Sequence, residues 1–282
     1  MITVTLAEMN AWVAALLWPL TRILGLIAAS PLFGAQAIPV SVKVVLGTML
    51  ALIMAPAIPA LPAQDPMSLA GLLIVVQELL IGLAMGFSMR IVFAAVEMAG
   101  EVSSLTMGLG FATFFDPQTQ GRSSAISQFL ALLATTAFIA ANVHLVVLEV
   151  LAESFITLPV AATPVAGGLA ITLARWGGTV FSAGLQLSLP IVAALLITNV
   201  ALGILTRAAP QLNIFGIGFP ISLGVGLLVI SLVLPFWSGP VTRLLNQGIE
   251  ASRALPRSGL PQPPRASLPK GPASLSTGQL GK

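Results

Sequence analysis

Charge is the scarcest commodity in this chain. Of 282 residues, 12 are Lys or Arg and 9 are Asp or Glu, so 7% are charged. An ordinary soluble domain carries about 25%. Seven of these charges lie beyond Gly239, which leaves the first 238 residues still poorer. Such a chain cannot coat a globule with polar surface in water. A soluble enzyme, a nucleic-acid binder and a disordered regulator are therefore excluded as its main reading. Cysteine is absent, which excludes disulfides, thiolate catalysis and Cys-ligated metals. A single histidine, His144, excludes a multi-His metal site. The chain holds no G-x-x-x-x-G-K-[ST] phosphate loop, no H-E-x-x-H and no G-x-S-x-G elbow. No enzyme activity and no cofactor are expected.

What is present is apolar length. Hydrophobic residues make up 57% of the chain. Charge-free stretches cover 23–42, 44–64, 123–148, 176–206 and 208–242. Each is long enough to cross roughly 30 Å of hydrocarbon as a helix rising about 1.5 Å per residue. The pattern predicts an all-α, polytopic membrane-type protein with helices near 11–30, 40–58, 69–107, 123–155, 170–206 and 214–237. The third and fifth are too long for one plain span, so tilts, kinks or interruptions are expected. Pro19, Pro31, Pro39, Pro56, Pro59, Pro190, Pro220 and Pro235 supply the breaks. Gly82 and Gly86 form a small-xxx-small pair suited to close helix packing. No Lys or Arg precedes the first apolar run, so it is expected to be retained rather than cleaved.

Arg22, Glu78, Arg90, Glu97, Glu101, Glu149 and Arg175 fall inside or at the edges of apolar segments. A charge facing mid-bilayer hydrocarbon costs roughly 2.5–3.5 kcal/mol on insertion scales. These positions should therefore face protein or water. Arg90 and Glu97 share a helix face, and Glu101 lies one turn beyond Glu97. Two readings stay open for them: a proton or ion path, and a set of interhelical ion pairs or solvent-facing charges. His144 reads as a packed, hydrogen-bonded side chain. From Arg243 to Lys282 six basic residues face one acid, Glu250. With its Pro and Ser content, 243–282 reads as a basic disordered tail on the cytoplasmic side. No nucleic-acid face is implied.

Two runs are familiar. One is Gln77-Glu78-Leu79-Leu80-Ile81-Gly82 through Gly86 and Gly100 into GLGFATFFDPQTQGRSS at 108–124, followed by Gln128-Phe129. The other is Thr206-Arg207-Ala208-Ala209-Pro210-Gln211-Leu212-Asn213-Ile214-Phe215-Gly216-Ile217-Gly218-Phe219-Pro220. Together they resemble the FliR family of export-apparatus subunits, over about residues 5–245. The extended Pro/Ser-rich tail departs from the family pattern and maps onto no family function.

The resemblance implies a subunit of the flagellar type III export gate. It would join FliP and FliQ homologues, with FlhB outside, in a helical pore that passes unfolded flagellar proteins across the bacterial inner membrane at the flagellar basal body. It also implies a FliP-like region at 1–168 and a FliQ-like helical hairpin at 169–242, which leaves 243–282 as the tail. The 108–124 loop resembles the segment that plugs the closed pore. Gly108 and Gly110 would allow a sharp backbone path, Phe111, Phe114 and Phe115 would fill the lumen, and Gly121 would act as a hinge. The turn at Arg207, Pro210, Gln211 and Asn213 is expected to face a partner subunit. A virulence injectisome subunit is the alternative within the family, and a secondary transporter the alternative outside it.

Overall fold

A computed structural model describes residues 5–59, 62, 64–111, 123–161, 168–209 and 214–258. Nine α-helices and no strand occur among the described residues. They are α1 (Leu6–Ala29), α2 (Val40–Met54), α3 (Leu69–Thr106), α4 (Ala125–Ala140), α5 (Val143–Thr157), α6 (Gly168–Gly177), α7 (Thr179–Ala208), α8 (Ile214–Val233) and α9 (Ser238–Ser258). Five helical stretches are long and apolar enough to cross a membrane, and the bent α4–α5 pair would add a sixth. The expected all-α, membrane-type class is what the chain adopts.

The 38-residue α3 is the axis of the molecule. It opens on Ser68, whose hydroxyl accepts a hydrogen bond from the Gly71 amide at 3.1 Å. Ile74, Ile81, Met85, Met89, Val92, Val96 and Ala99 recur at helical spacing along it and are buried. Against that axis pack α1, α4, α7 and α9. The α1 crossing is close because glycine lines it. A Cβ on Gly25 would come within 2.7 Å of the Leu79 carbonyl oxygen, and one on Gly82 would strike the Arg22 carbonyl oxygen. The small-residue pair thus serves backbone approach.

The expected helices differ from the observed ones in four places. The first begins at Leu6, earlier than expected. Thr5 and Glu8 form a capping box, with the Thr5 amide donating to Glu8 Oε2 at 2.8 Å. The run at 123–155 is two helices bent by 66°. Asn142 sits between them in the left-handed region, φ 54°, which a helix cannot continue through. The fifth run is interrupted at Gly177–Gly178, whereas the third continues unbroken as α3.

The fourth difference is a correction. The basic tail was expected to begin at 243, yet 243–258 belong to the amphipathic α9. Val241, Leu244, Leu245, Gly248, Ile249, Ser252 and Leu255 form one buried stripe, and Gly248 lies against Val92 and Met89 of α3. Arg253 and Arg257 point the other way, to Glu153 of α5 at 3.3 and 3.1 Å. Charge on one face and an apolar stripe on the other make a packed helix, not a tail. Residues 259–282 lie outside the described residues.

Candidate functional site

Two arrangements carry the chemistry of this chain: a buried ionic cluster and the base of the 108–124 loop. The ionic cluster joins three helices. Arg22 on α1 and Glu78 on α3 are both fully buried. Arg22 Nε and an Nη donate to the two Glu78 carboxylate oxygens at 2.6 and 3.0 Å, a bidentate pair. The remaining donors reach the Ser154 carbonyl and hydroxyl oxygens at 2.9 and 3.2 Å and the Leu158 carbonyl at 2.9 Å. All five guanidinium N–H groups are thereby used. The Phe155 ring lies 4.4 Å from the guanidinium carbon. With every donor spent inside the protein, this pair holds the end of α5 to α1 and α3. It is a structural tie, and it answers for two of the charges found in apolar segments.

The other embedded charges lie elsewhere. Arg90 and Glu97 share the exposed face of α3 and form no ion pair among the described residues. Glu149 and Arg175 are exposed, with Glu149 3.8 Å from Arg253. Glu101 has a specific role. Its Oε1 accepts a hydrogen bond from the Ser124 amide at 2.7 Å, and Ser124 caps α4. One turn back, the Ser127 hydroxyl donates to the Glu97 carbonyl at 2.9 Å. Gly100 lets the Ser127 backbone approach so closely that a Cβ there would clash. The returning end of the 108–124 loop is therefore pinned to α3, about two turns before the loop leaves it.

At the leaving end, Met107 is fully buried, and Gly108 follows with φ 86°, which glycine adopts without strain. Gly110 and Phe111 continue in a short 3-10 turn. Phe114, Phe115 and Gly121 lie outside the described residues. Met107 packs with Ile191 and Leu195 of α7 and Ile230 of α8, and its side chain occupies the space a Cβ on Gly226 would need. So the loop base is seated on the α7–α8 pair. These two helices pack on each other, joined across by a 3.3 Å hydrogen bond from the Ser222 hydroxyl to Asn199 Oδ1. Of the turn residues, Arg207 is exposed in the last turn of α7, while Pro210, Gln211 and Asn213 lie outside the described residues. Among the described residues no three His, Asp or Glu gather as a metal site.

A family model for bacterial export proteins, family 1, matches residues 13–248. The flagellar biosynthetic protein FliR of Pectobacterium carotovorum subsp. carotovorum is 44% identical over 235 residues, covering 83% of this chain and 90% of that protein. FliR of Escherichia coli K12 is 39% identical over 237 residues, with the same coverage. The chain belongs to the FliR family. More distantly, FliR of Bacillus subtilis strain 168 is 30% identical over 237 residues, covering 83% of the chain and 91% of the relative. The matched span takes in the ionic cluster, the loop base and the hairpin, and ends within α9.

Sequence reasoning missed the Glu101–Ser124 link and the Met107 seat. The signal for the first was a polar Ser123-Ser124 pair one residue ahead of an apolar helix, a cap pattern. The second had a fainter one, the Gly224 and Gly226 pair within an apolar run.

Proposed function

We propose that this FliR-family chain is a structural subunit of the flagellar protein export gate in the bacterial inner membrane, assembling with FliP and FliQ homologues, with FlhB packed outside, into the pore through which unfolded flagellar proteins pass. Membership of the family makes it a component of bacterial export in flagellar biosynthesis. The observation that carries the finer reading is an uncovered apolar hairpin beside a packed bundle. Leu196, Ile197, Val200 and Ile204 of α7 and Leu227, Leu228 and Leu232 of α8 are all exposed. An apolar surface of that extent needs lipid or a partner against it. On this reading residues 1–168 play the FliP-like part, 169–242 the FliQ-like part, and the Arg207–Asn213 turn faces a neighbour.

The 108–124 loop is then the gate element. Support comes from its anchored ends: Ser124 is held by Glu101 of α3, and Met107 is buried against α7 and α8. Phe111, Phe114 and Phe115 supply apolar bulk to exclude water from a lumen. The relatives named above are flagellar, which favours the flagellum over an injectisome. Co-expression of the tagged chain with candidate FliP and FliQ homologues, followed by pull-down, tests the assembly. Both partners are expected in the eluate. A chain that purifies alone as a stable monomer, with neither partner retained, would sink the reading.

A further inference from the structure

The junction of α8 and α9 holds a cleft that the gate reading does not use. Helix α8 ends at Val233, a 3-10 turn follows at Leu234–Phe236, and α9 starts at Ser238. Between this elbow and α7 lies a cleft of 620 Å³. Thr179, Ser182 and Gln186 form its α7 wall, spaced so that they share one helix face. Arg243 and Gln247, one turn apart, form its α9 wall. The floor is apolar, built from Leu187, Trp237 and Leu244.

Among the described residues the Arg243 guanidinium is the one charge lining this cleft, and no carboxylate lines it. Its only contact among the described residues is a 3.5 Å bond from Nε to the Gly239 carbonyl, so its terminal N–H groups are unspent. The side-chain amides of Gln186 and Gln247 are unspent too. A cation flanked by free amide donors recognises a phosphate diester. The apolar floor opens at Val233 and Phe236, where an apolar span ends. Trp237, packed in the core directly after that span ends, forms part of the cleft floor.

We propose that this cleft binds an anionic phospholipid, its phosphate on Arg243 with Gln186 and Gln247 donating to the remaining oxygens, and an acyl chain along Leu187, Val233 and Phe236. Free phosphate shares the headgroup chemistry, but it has no use for the apolar floor. A partner helix bearing an acid is the competing occupant.

Trp237 reports on occupancy. The full chain is reconstituted in phosphatidylcholine nanodiscs containing either bromo-acyl phosphatidylglycerol or bromo-acyl phosphatidylcholine. The part of the fluorescence lost in Trp237→Phe isolates this tryptophan from Trp12, Trp18 and Trp176. Quenching by the phosphatidylglycerol is expected at about fivefold lower mole fraction than by the phosphatidylcholine, the effect of one arginine near an anionic headgroup. Arg243→Gln removes that preference and Arg243→Lys keeps most of it. Arg257→Gln, on the same helix but outside the cleft, leaves it intact. The proposal is overturned if Arg243→Gln keeps the preference, or if Arg257→Gln lowers it equally. Saturating inorganic phosphate that erases it would point to phosphate alone. Loss of Trp237 quenching in the co-purified complex with FliP and FliQ homologues would give the cleft to a partner helix.

Discussion

The α1–α3 bundle and the α7–α8 hairpin are made of equally apolar helices and have opposite surroundings. In the best membrane-spanning windows of α1 and α3, 44% of residues are buried inside the chain. In the window across α6 and α7 the share is 11%, in that of α8 22%, and in that of α2 11%. The bundle spends its apolar surface on itself: glycines bring α1 onto α3, and the Arg22–Glu78 pair ties in α5. The hairpin presents bulky side chains outward. Apolarity says that a surface leaves water, not what covers it. The α1–α3 crossing is a core built within the chain, and the α7–α8 surface is left for something outside it to cover.

The largest effect should come from breaking the ionic tie of the bundle. Glu78→Gln leaves the Arg22 charge buried without its counter-ion, a loss of roughly 3–5 kcal/mol for a buried pair. Folded chain recovered from membranes should fall sharply, before any question of assembly arises. Replacing both partners, Arg22→Met with Glu78→Leu, should restore much of that yield, because no lone charge remains. A double variant as poor as Glu78→Gln would mean that the hydrogen bonds to Ser154 and Leu158 matter more than the pair itself.

Glycine substitutions sharpen the contrast. Gly82→Leu forces a side chain against the α1 backbone and should cost roughly 1–3 kcal/mol or more by overpacking. Gly203 on α7 and Gly224 on α8 have nothing within 4 Å of a built Cβ. Gly203→Leu and Gly224→Leu should leave the isolated chain as stable as before, or slightly more so, since glycine in a helix interior costs about 1 kcal/mol relative to alanine. The same variants should lose co-purification with FliP and FliQ homologues if a partner packs there. Equal yields of the complex would mean that lipid covers this face.

That contrast also marks what the sequence makes legible. Apolar runs located the helices, because length and hydropathy are local properties. The charges in those runs signalled protein or water around them, and Arg22 and Glu78 meet each other inside the chain. Which charge meets which was not readable, since the two lie 56 positions apart and their pairing depends on how α1 crosses α3. Helix α9 was misread because its basic, Pro-flanked composition resembles a tail; the stripe Val241, Leu244, Leu245, Ile249 becomes decisive once followed at helical period. Asn142 carries no breaker pattern in sequence, and its left-handed conformation is what bends α4 from α5.

Within the 108–124 loop, replacing Phe111, Phe114 and Phe115 with Ala separates a plug from a scaffold. As a plug, the triple variant should assemble normally and leak small solutes across the membrane. As core, each buried ring lost would cost about 3–5 kcal/mol, and the complex should fail to form. Recovery of the complex and membrane permeability, measured in the same cells, decide between these. Normal assembly with an intact barrier would refute the plug.

The smallest expected effect compares two glutamates one helical turn apart on α3. Glu97 is exposed and its side chain holds no partner among the described residues; Glu101 accepts the Ser124 amide at 2.7 Å. Glu97→Gln should change nothing measurable, as surface substitutions usually stay within about 0.5 kcal/mol. Glu101→Gln keeps the shape but weakens a charge-assisted bond, worth about 1 kcal/mol at a half-buried site. That is too little to unfold α3, whose core side chains lie on the opposite face. It is enough to loosen the loop base, because Ser124 is both the end of the loop and the cap of α4. Amide exchange at the start of α4 should therefore quicken several-fold in Glu101→Gln and not in Glu97→Gln, with the complex still assembled. Equal exchange in the two variants would mean that the Gly100–Ser127 contact alone pins the base.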